Sequence, residues 1–149
     1  MAKKFPLQSL LDLSQNRTDA AAKKLSSLKV RWQEAEDKLN QLEQYRAEYQ
    51  ERLRLALQRG IGAAEWRDFQ AFLSKLELAI RQQAEESQRC KRAWENGQKD
   101  WLSESGKFKA FDTLAQRHHE VESKREAQIE QREHDDLVTR SHGKPREES

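Results

Sequence analysis

Proline is almost missing: Pro6 and Pro145 are the only two in 149 residues, and both lie near the ends. Every residue between them keeps its backbone N–H, so nothing in that stretch forbids an uninterrupted helix. Cysteine is reduced to Cys90, which excludes an internal disulfide and fits a reducing cytoplasm. Apolar material is scarce as well. Hydrophobic residues make up 35% of the chain against 36% charged, too few for the broad core of a globule. No run approaches the ~18 apolar residues of a membrane span, so direct membrane insertion is not expected. The opening Met-Ala-Lys-Lys-Phe-Pro lacks the apolar stretch of a secretory signal. An excess of one charge is lacking too, since 28 basic and 26 acidic side chains leave +2. That removes the concentrated positive field selected by phosphate backbones, and no nucleic-acid partner is expected.

Signatures of catalysis are absent in the same way. The sequence has no Gly-x-x-x-x-Gly-Lys-Ser/Thr loop, no Gly-x-Gly-x-x-Gly turn, no Gly-x-Ser-x-Gly elbow and no His-Glu-x-x-His pair. His118, His119 and Glu122 come nearest to a metal site, but two ligands on one helix face fall short of the three or four that a site needs. Cys90, set among Gln83, Ser87 and Gly97, has no cluster that would stabilise a thiolate. The expectation is a protein without catalytic residues, metal or cofactor.

What the chain does have is a repeat. Apolar positions alternate by four and three residues through Leu7, Leu11, Ser14, Thr18, Ala21, Leu25, Leu28, Trp32, Ala35, Leu39, Leu42, Arg46, Tyr49, Leu53 and Ala56. Twelve of these fifteen are apolar or aromatic, and the positions between them are mostly Lys, Arg, Glu and Gln. An average spacing of 3.5 keeps such a stripe on one side only where helices supercoil. The pattern stops at Gly60-Ile61-Gly62; glycine suits the left-handed position that ends a helix. It resumes with Trp66, Phe69, Leu73, Leu76 and Ile80 and runs on through Trp94, Trp101, Phe108 and Phe111 to Ala115.

Two helices joined by so short a link are predicted to pack antiparallel. Folding about Ile61 sets residue i against a residue near 122 − i, so Leu7 lies opposite Ala115. The predicted fold is therefore all-α: a long two-helix antiparallel coiled-coil hairpin, with an overhanging C-terminal helix and a disordered tail. Helix 1 is expected over about 6–59, the turn over 60–63, helix 2 over about 64–138, and the tail over 141–149. At ~1.5 Å per residue the paired part would reach on the order of 75 Å. Gly97 and Gly106, with Asn96, Ser103 and Ser105, mark the stretch of helix 2 expected to bend.

Two features exceed what a plain coil needs. Tyr45 lies off the seam on a ridge with Leu42 and Tyr49, and Phe72 lies off it with Leu76 and Ala79. The pairing rule sets these ridges side by side near the turn, and a thin coil cannot cover both. An exposed aromatic and aliphatic patch is expected there, the kind of surface that marks a partner site. The second feature is the overhang, where Val121, Ile129, Leu137 and Val138 are expected in solvent on a helix marginally stable alone.

At this point the chain resembles a known family. The segment Leu7-Gln-Ser-Leu-Leu-Asp-Leu, then Asp19-Ala-Ala-Ala, Ala35-Glu-Asp-Lys-Leu, Tyr45-x-x-x-Tyr49, Gly60-Ile61, Trp66, Phe72, Leu76, Ala79-Ile80, Trp101 and Phe111-x-x-Leu114 resemble the FliJ family of flagellar export proteins. The resemblance implies a non-catalytic component of the flagellar type III export apparatus, similar to the stalk subunit of rotary ATPases. Its implied partners are the export ATPase ring, the cytosolic domain of the export gate and substrate chaperones. It implies a cytoplasmic protein, peripherally associated with the inner-membrane export apparatus. The family's gate-binding surface carries over to Leu42, Tyr45, Tyr49, Phe72, Leu76 and Ala79, while Lys38 and Gln83 beside it depart from the family's residues. By the stalk analogy, the segment with Val121, Ile129, Leu137 and Val138 would face the ATPase. The equivalent stalk protein of a virulence injectisome, or a generic self-associating coiled coil, are the alternative readings.

Overall fold

The structure is a computed structural model that describes residues 3–143. It is an all-α hairpin of two helices packed against each other, α1 (Gln8–Arg59, 52 residues) and α2 (Ala63–His142, 80 residues), with no strand among the described residues. Helix α2 runs past the expected end at 138. Ser141 and His142, assigned from sequence to a disordered tail, are its last turn, because nothing in Thr139-Arg140-Ser141-His142 breaks a helix. The remainder of that expected tail, 144–149, lies outside the described residues.

The turn forms for the reason the sequence implied. Gly60 adopts φ +93°, a conformation that costs an L-residue roughly 1–2 kcal/mol and glycine nothing. Its N–H closes the end of α1 on the carbonyls of Ala56 at 2.9 Å and Leu57 at 3.3 Å. Helix α2 begins as Trp66 N–H reaches the Gly62 carbonyl at 3.1 Å.

The chain gathers into two compact units, one comprising Asp19–Leu102 and the other Met1–Thr18 with Ser103–Ser149. The expectation from sequence was one coiled coil over 1–140; the boundary after Leu102 falls inside the stretch expected to bend. All fifteen seam positions from Leu7, just before α1, to Ala56 are buried or half-buried.

Within the 19–102 unit the apolar core is thin, consisting of Ala35, Ala56, Leu73, Leu76 and Ile80. Each larger aliphatic side chain removed from water contributes about 1.5–3 kcal/mol. The most buried side chain is polar: Ser87, 2% exposed. It donates to Glu36 Oε1, which also accepts from Trp32 Nε1 at 3.3 Å. One layer away, Gln83 Nε2 donates to the Ala35 carbonyl at 3.0 Å. Polar groups inside a seam must find partners or lose stability, so this layer admits one alignment of the two helices.

Within the other unit, Leu7, Leu11, Phe108, Phe111 and Ala115 are half-buried around a buried Ser14. Packing on α2 there extends beyond Ala115, without a helical partner. The segment before α1 lies along α2 as far as Glu122, which is 7% exposed. Every described residue from Ser123 to Gly143 is exposed, so the overhang starts roughly two helical turns later than the sequence suggested.

The helical glycines differ in surroundings. A methyl group at Gly106 would meet nothing within 4 Å, whereas one at Gly97 would lie 2.8 Å from Leu28 Cδ1 and 3.4 Å from Leu25 Cδ1. Gly106→Ala is expected to stabilise the protein by about 1 kcal/mol through helix propensity. Gly97→Ala is expected to lose most of that gain to the displaced leucines. Urea titrations of the two variants check this; equal stabilisation would show that the seam at Leu28 yields freely.

Candidate partner-binding surfaces

Four aromatic residues near the turn, Tyr45, Tyr49, Phe69 and Phe72, form one connected group across both helices. Phe72 meets Tyr49 at a ring-centroid distance of 4.4 Å and Tyr45 at 5.8 Å, the latter edge-on at 80°. Tyr49 also packs on Phe69 at 5.1 Å, and Tyr45 lies 6.5 Å from Tyr49. The Tyr45–Phe72 pair has the edge-to-face arrangement that aromatic quadrupoles favour, and the other three pairs are tilted. The helical repeat explains the grouping: Tyr45 and Tyr49 stand one turn apart on α1, and Phe69 and Phe72 occupy neighbouring positions on α2.

The six residues singled out from sequence divide by depth. Tyr45 is exposed, at 41%; Leu42, Tyr49, Phe72 and Ala79 are half-buried; Leu76, at 6%, belongs to the core. Rings are therefore presented to solvent above a floor that includes Leu76, and Leu76 itself offers little surface. Gln83 is turned into the seam by its bond to Ala35, while Lys38 is exposed.

Sequence reasoning missed Glu36. It is off the seam, yet it reaches Ser87 and Trp32. A small hydroxyl at a seam position, with a carboxylate one turn beyond a tryptophan on the facing helix, was the available signal. Close by, burial pushes the Cys90 thiol above its ordinary range, and its hydrogen bond to Glu86 adds to this; little thiolate is present at neutral pH. The exposed Arg89 guanidinium holds the Glu86 carboxyl below the usual carboxylate range. Solvent screens such surface pairs, and they add little to stability.

The second expected surface is laid out differently. Val121 is 56% exposed, Ile129 47%, Leu137 65% and Val138 41%. Val121, Ile129 and Leu137 are spaced by eight, which turns each roughly 80° from the last around the helix axis. The four side chains do not line up as one apolar stripe; they are distributed around α2 among charged residues. His118 and Glu122 are both engaged with Lys3, and among the described residues no group of three or more His, Cys, Asp or Glu is placed to hold a metal ion.

The profile of the FliJ family, described as "Flagellar FliJ protein", matches residues 3–147. The chain belongs to the FliJ family. The "Flagellar FliJ protein" of Salmonella typhi is 28% identical over 141 residues, covering 95% of this chain and 96% of that protein. The protein of the same name from Escherichia coli strain K12 is 26% identical over the same coverage. No solved structure matches. FliJ membership identifies the chain as a flagellar export-associated protein with the helical, coiled-coil character seen in its fold. Among the described residues, no helix is long and apolar enough to cross a membrane.

Proposed function

We propose that this FliJ-family chain is a non-catalytic, stalk-like coupling element of the flagellar type III export apparatus. It links the export ATPase ring to the cytosolic domain of the export gate and assists substrate chaperones. It works in the cytoplasm, peripherally associated with the inner-membrane export machinery. The observation that carries this reading is the cross-helix group of Tyr45, Tyr49 and Phe72, in which rings from both helices meet around an exposed Tyr45. Exposed aromatic anchors flanked by aliphatic residues are what partner interfaces concentrate.

The gate domain takes the patch of Leu42, Tyr45, Tyr49, Phe72 and Ala79, with Leu76 supporting it from below. The ATPase takes the segment with Val121, Ile129, Leu137 and Val138. Their distribution around a single helix suits a partner that surrounds it, as a ring does, better than one that lies along a single face. No catalytic step is assigned to the chain. Its described surface concavities are open grooves, such as the one bounded by Ala84, Glu85, Gln88, Arg89 and Arg92 of α2 alone.

A pull-down of the full chain with the cognate ATPase and, separately, with the gate domain tests both assignments. Capture of each is expected. Retention of neither would remove the coupling function.

A further inference from the structure

The residues just before α1 are held by a small, distinct set of contacts. Pro6 biases Phe5 towards an extended backbone, and Gln8 N–H closes the following turn on the Phe5 carbonyl at 3.1 Å. Beyond that turn the chain lies along α2. His118 Nε2 donates to the Lys3 carbonyl at 2.8 Å, and Lys3 N–H donates to Glu122 Oε2 at 3.4 Å. His118 and Glu122 stand at i and i+4, so one helix face bonds both the carbonyl and the N–H of a single non-helical residue. The Phe5 ring completes the set, its centroid 5.6 Å from that of His118 at a tilt of 47°.

We propose that Lys3–Phe5 is a releasable latch. When closed it occupies the His118–Glu122 face of α2. When open it yields that face to a protein partner presenting an extended segment with a free backbone N–H and carbonyl and an aromatic side chain.

Two of the three holds are made to the Lys3 backbone, so closure needs no particular side chain at position 3 and depends instead on Phe5. Glu122 is nearly buried under the closed latch, with Arg125 Nη1 at 3.6 Å as its other partner. Opening releases a carboxylate that water and Arg125 can satisfy, so no buried charge is stranded. The contacts are few and lie where the shared seam ends, which places the latch at the low-stability end of the molecule. The latch adjoins the segment assigned above to the ATPase, but its opening is read without any partner.

Hydrogen exchange on the full chain tests this. Phe5→Ala and His118→Ala are each expected to speed amide exchange over residues 118–126 by on the order of tenfold, leaving residues 63–100 unchanged. Their combination is expected to add little, because either change opens the same latch. Adding the acetylated peptide Lys-Lys-Phe-Pro-Leu to the Phe5→Ala variant is expected to restore protection, and the same peptide with alanine for phenylalanine to fail. Unchanged exchange at 118–126 in both single variants, or acceleration along the whole of α2, would overturn the latch. A peptide that never restores protection would overturn the transfer of this face to a partner.

Discussion

Replacing Tyr45 and Phe72 together by alanine is expected to weaken capture of the gate domain at least a hundredfold while the hairpin still melts cooperatively. The binding loss follows from the removal of two aromatic anchors, each typically costing 2 kcal/mol or more at an interface centre, where about 1.4 kcal/mol is tenfold in affinity. The stability loss is expected to be modest. Tyr45 is 41% exposed and lies outside the core. Phe72 is half-buried, and once it is removed Tyr49 still packs on Phe69 at 5.1 Å. The core layer of Leu73, Leu76 and Ile80 is untouched. A melting temperature lowered by a few degrees, at about 2–4 °C per kcal/mol for a chain of this size, is the expected signature. Two measurements decide it: circular dichroism through the melt, and the gate-domain binding isotherm. A lost cooperative transition would make the rings core residues, and full binding by a folded variant would remove the patch from the interface.

Ending the chain after Arg125 is the change expected to act most strongly on the ATPase. It removes Ile129, Leu137 and Val138 but keeps His118, Glu122 and the Arg125 guanidinium near Glu122. Every described residue beyond Glu122 is exposed, so the removed helix buries nothing against α1. Helical signal should fall in proportion to the residues lost, and the melt of the remainder should stay where it was. Stimulation of ATP hydrolysis by the shortened chain is expected to disappear. Undiminished stimulation would place the ATPase contacts elsewhere, whereas a collapsed melt would reveal a structural task for the segment.

These two experiments separate the partners because their residues fall in different compact units of the chain. The gate variant changes only the 19–102 unit, and the truncation changes only the other. Each variant is thus the control for the other: the Tyr45 and Phe72 variant is expected to keep stimulating the ATPase, and the shortened chain to keep binding the gate domain.

Much of this architecture was legible in the linear pattern, for a physical reason. A coiled coil is specified by local periodicity. The spacing of Leu7 to Ala56 selects one face, Gly60 supplies the left-handed turn, and antiparallel pairing about Ile61 then follows from chain connectivity. The aromatic patch was legible by the same route, since Tyr45 and Phe72 depart from the seam by a fixed angle on helices whose alignment the turn sets. Depth was not legible. Leu76 was counted both in the seam and on the ridge expected to be exposed, and packing across the pair buries it to 6%, while Phe72, off the seam, is half-buried.

What tertiary structure alone decided are the contacts between residues far apart in sequence whose spacing follows no repeat. Glu36 reaches Ser87 from outside the seam, a side-chain choice made by the shape of the facing helix. Lys3 and Phe5 fasten to His118 and Glu122 because non-helical residues before α1 settle on whatever surface lies beside them. Periodicity says nothing about such residues. The amino-acid order determined which faces of the two helices meet and where the chain turns, since both depend on neighbours within a turn or two. Where the pairing ends, and which polar groups it closes over, depended on the fit of separate surfaces and appeared only once the chain was folded.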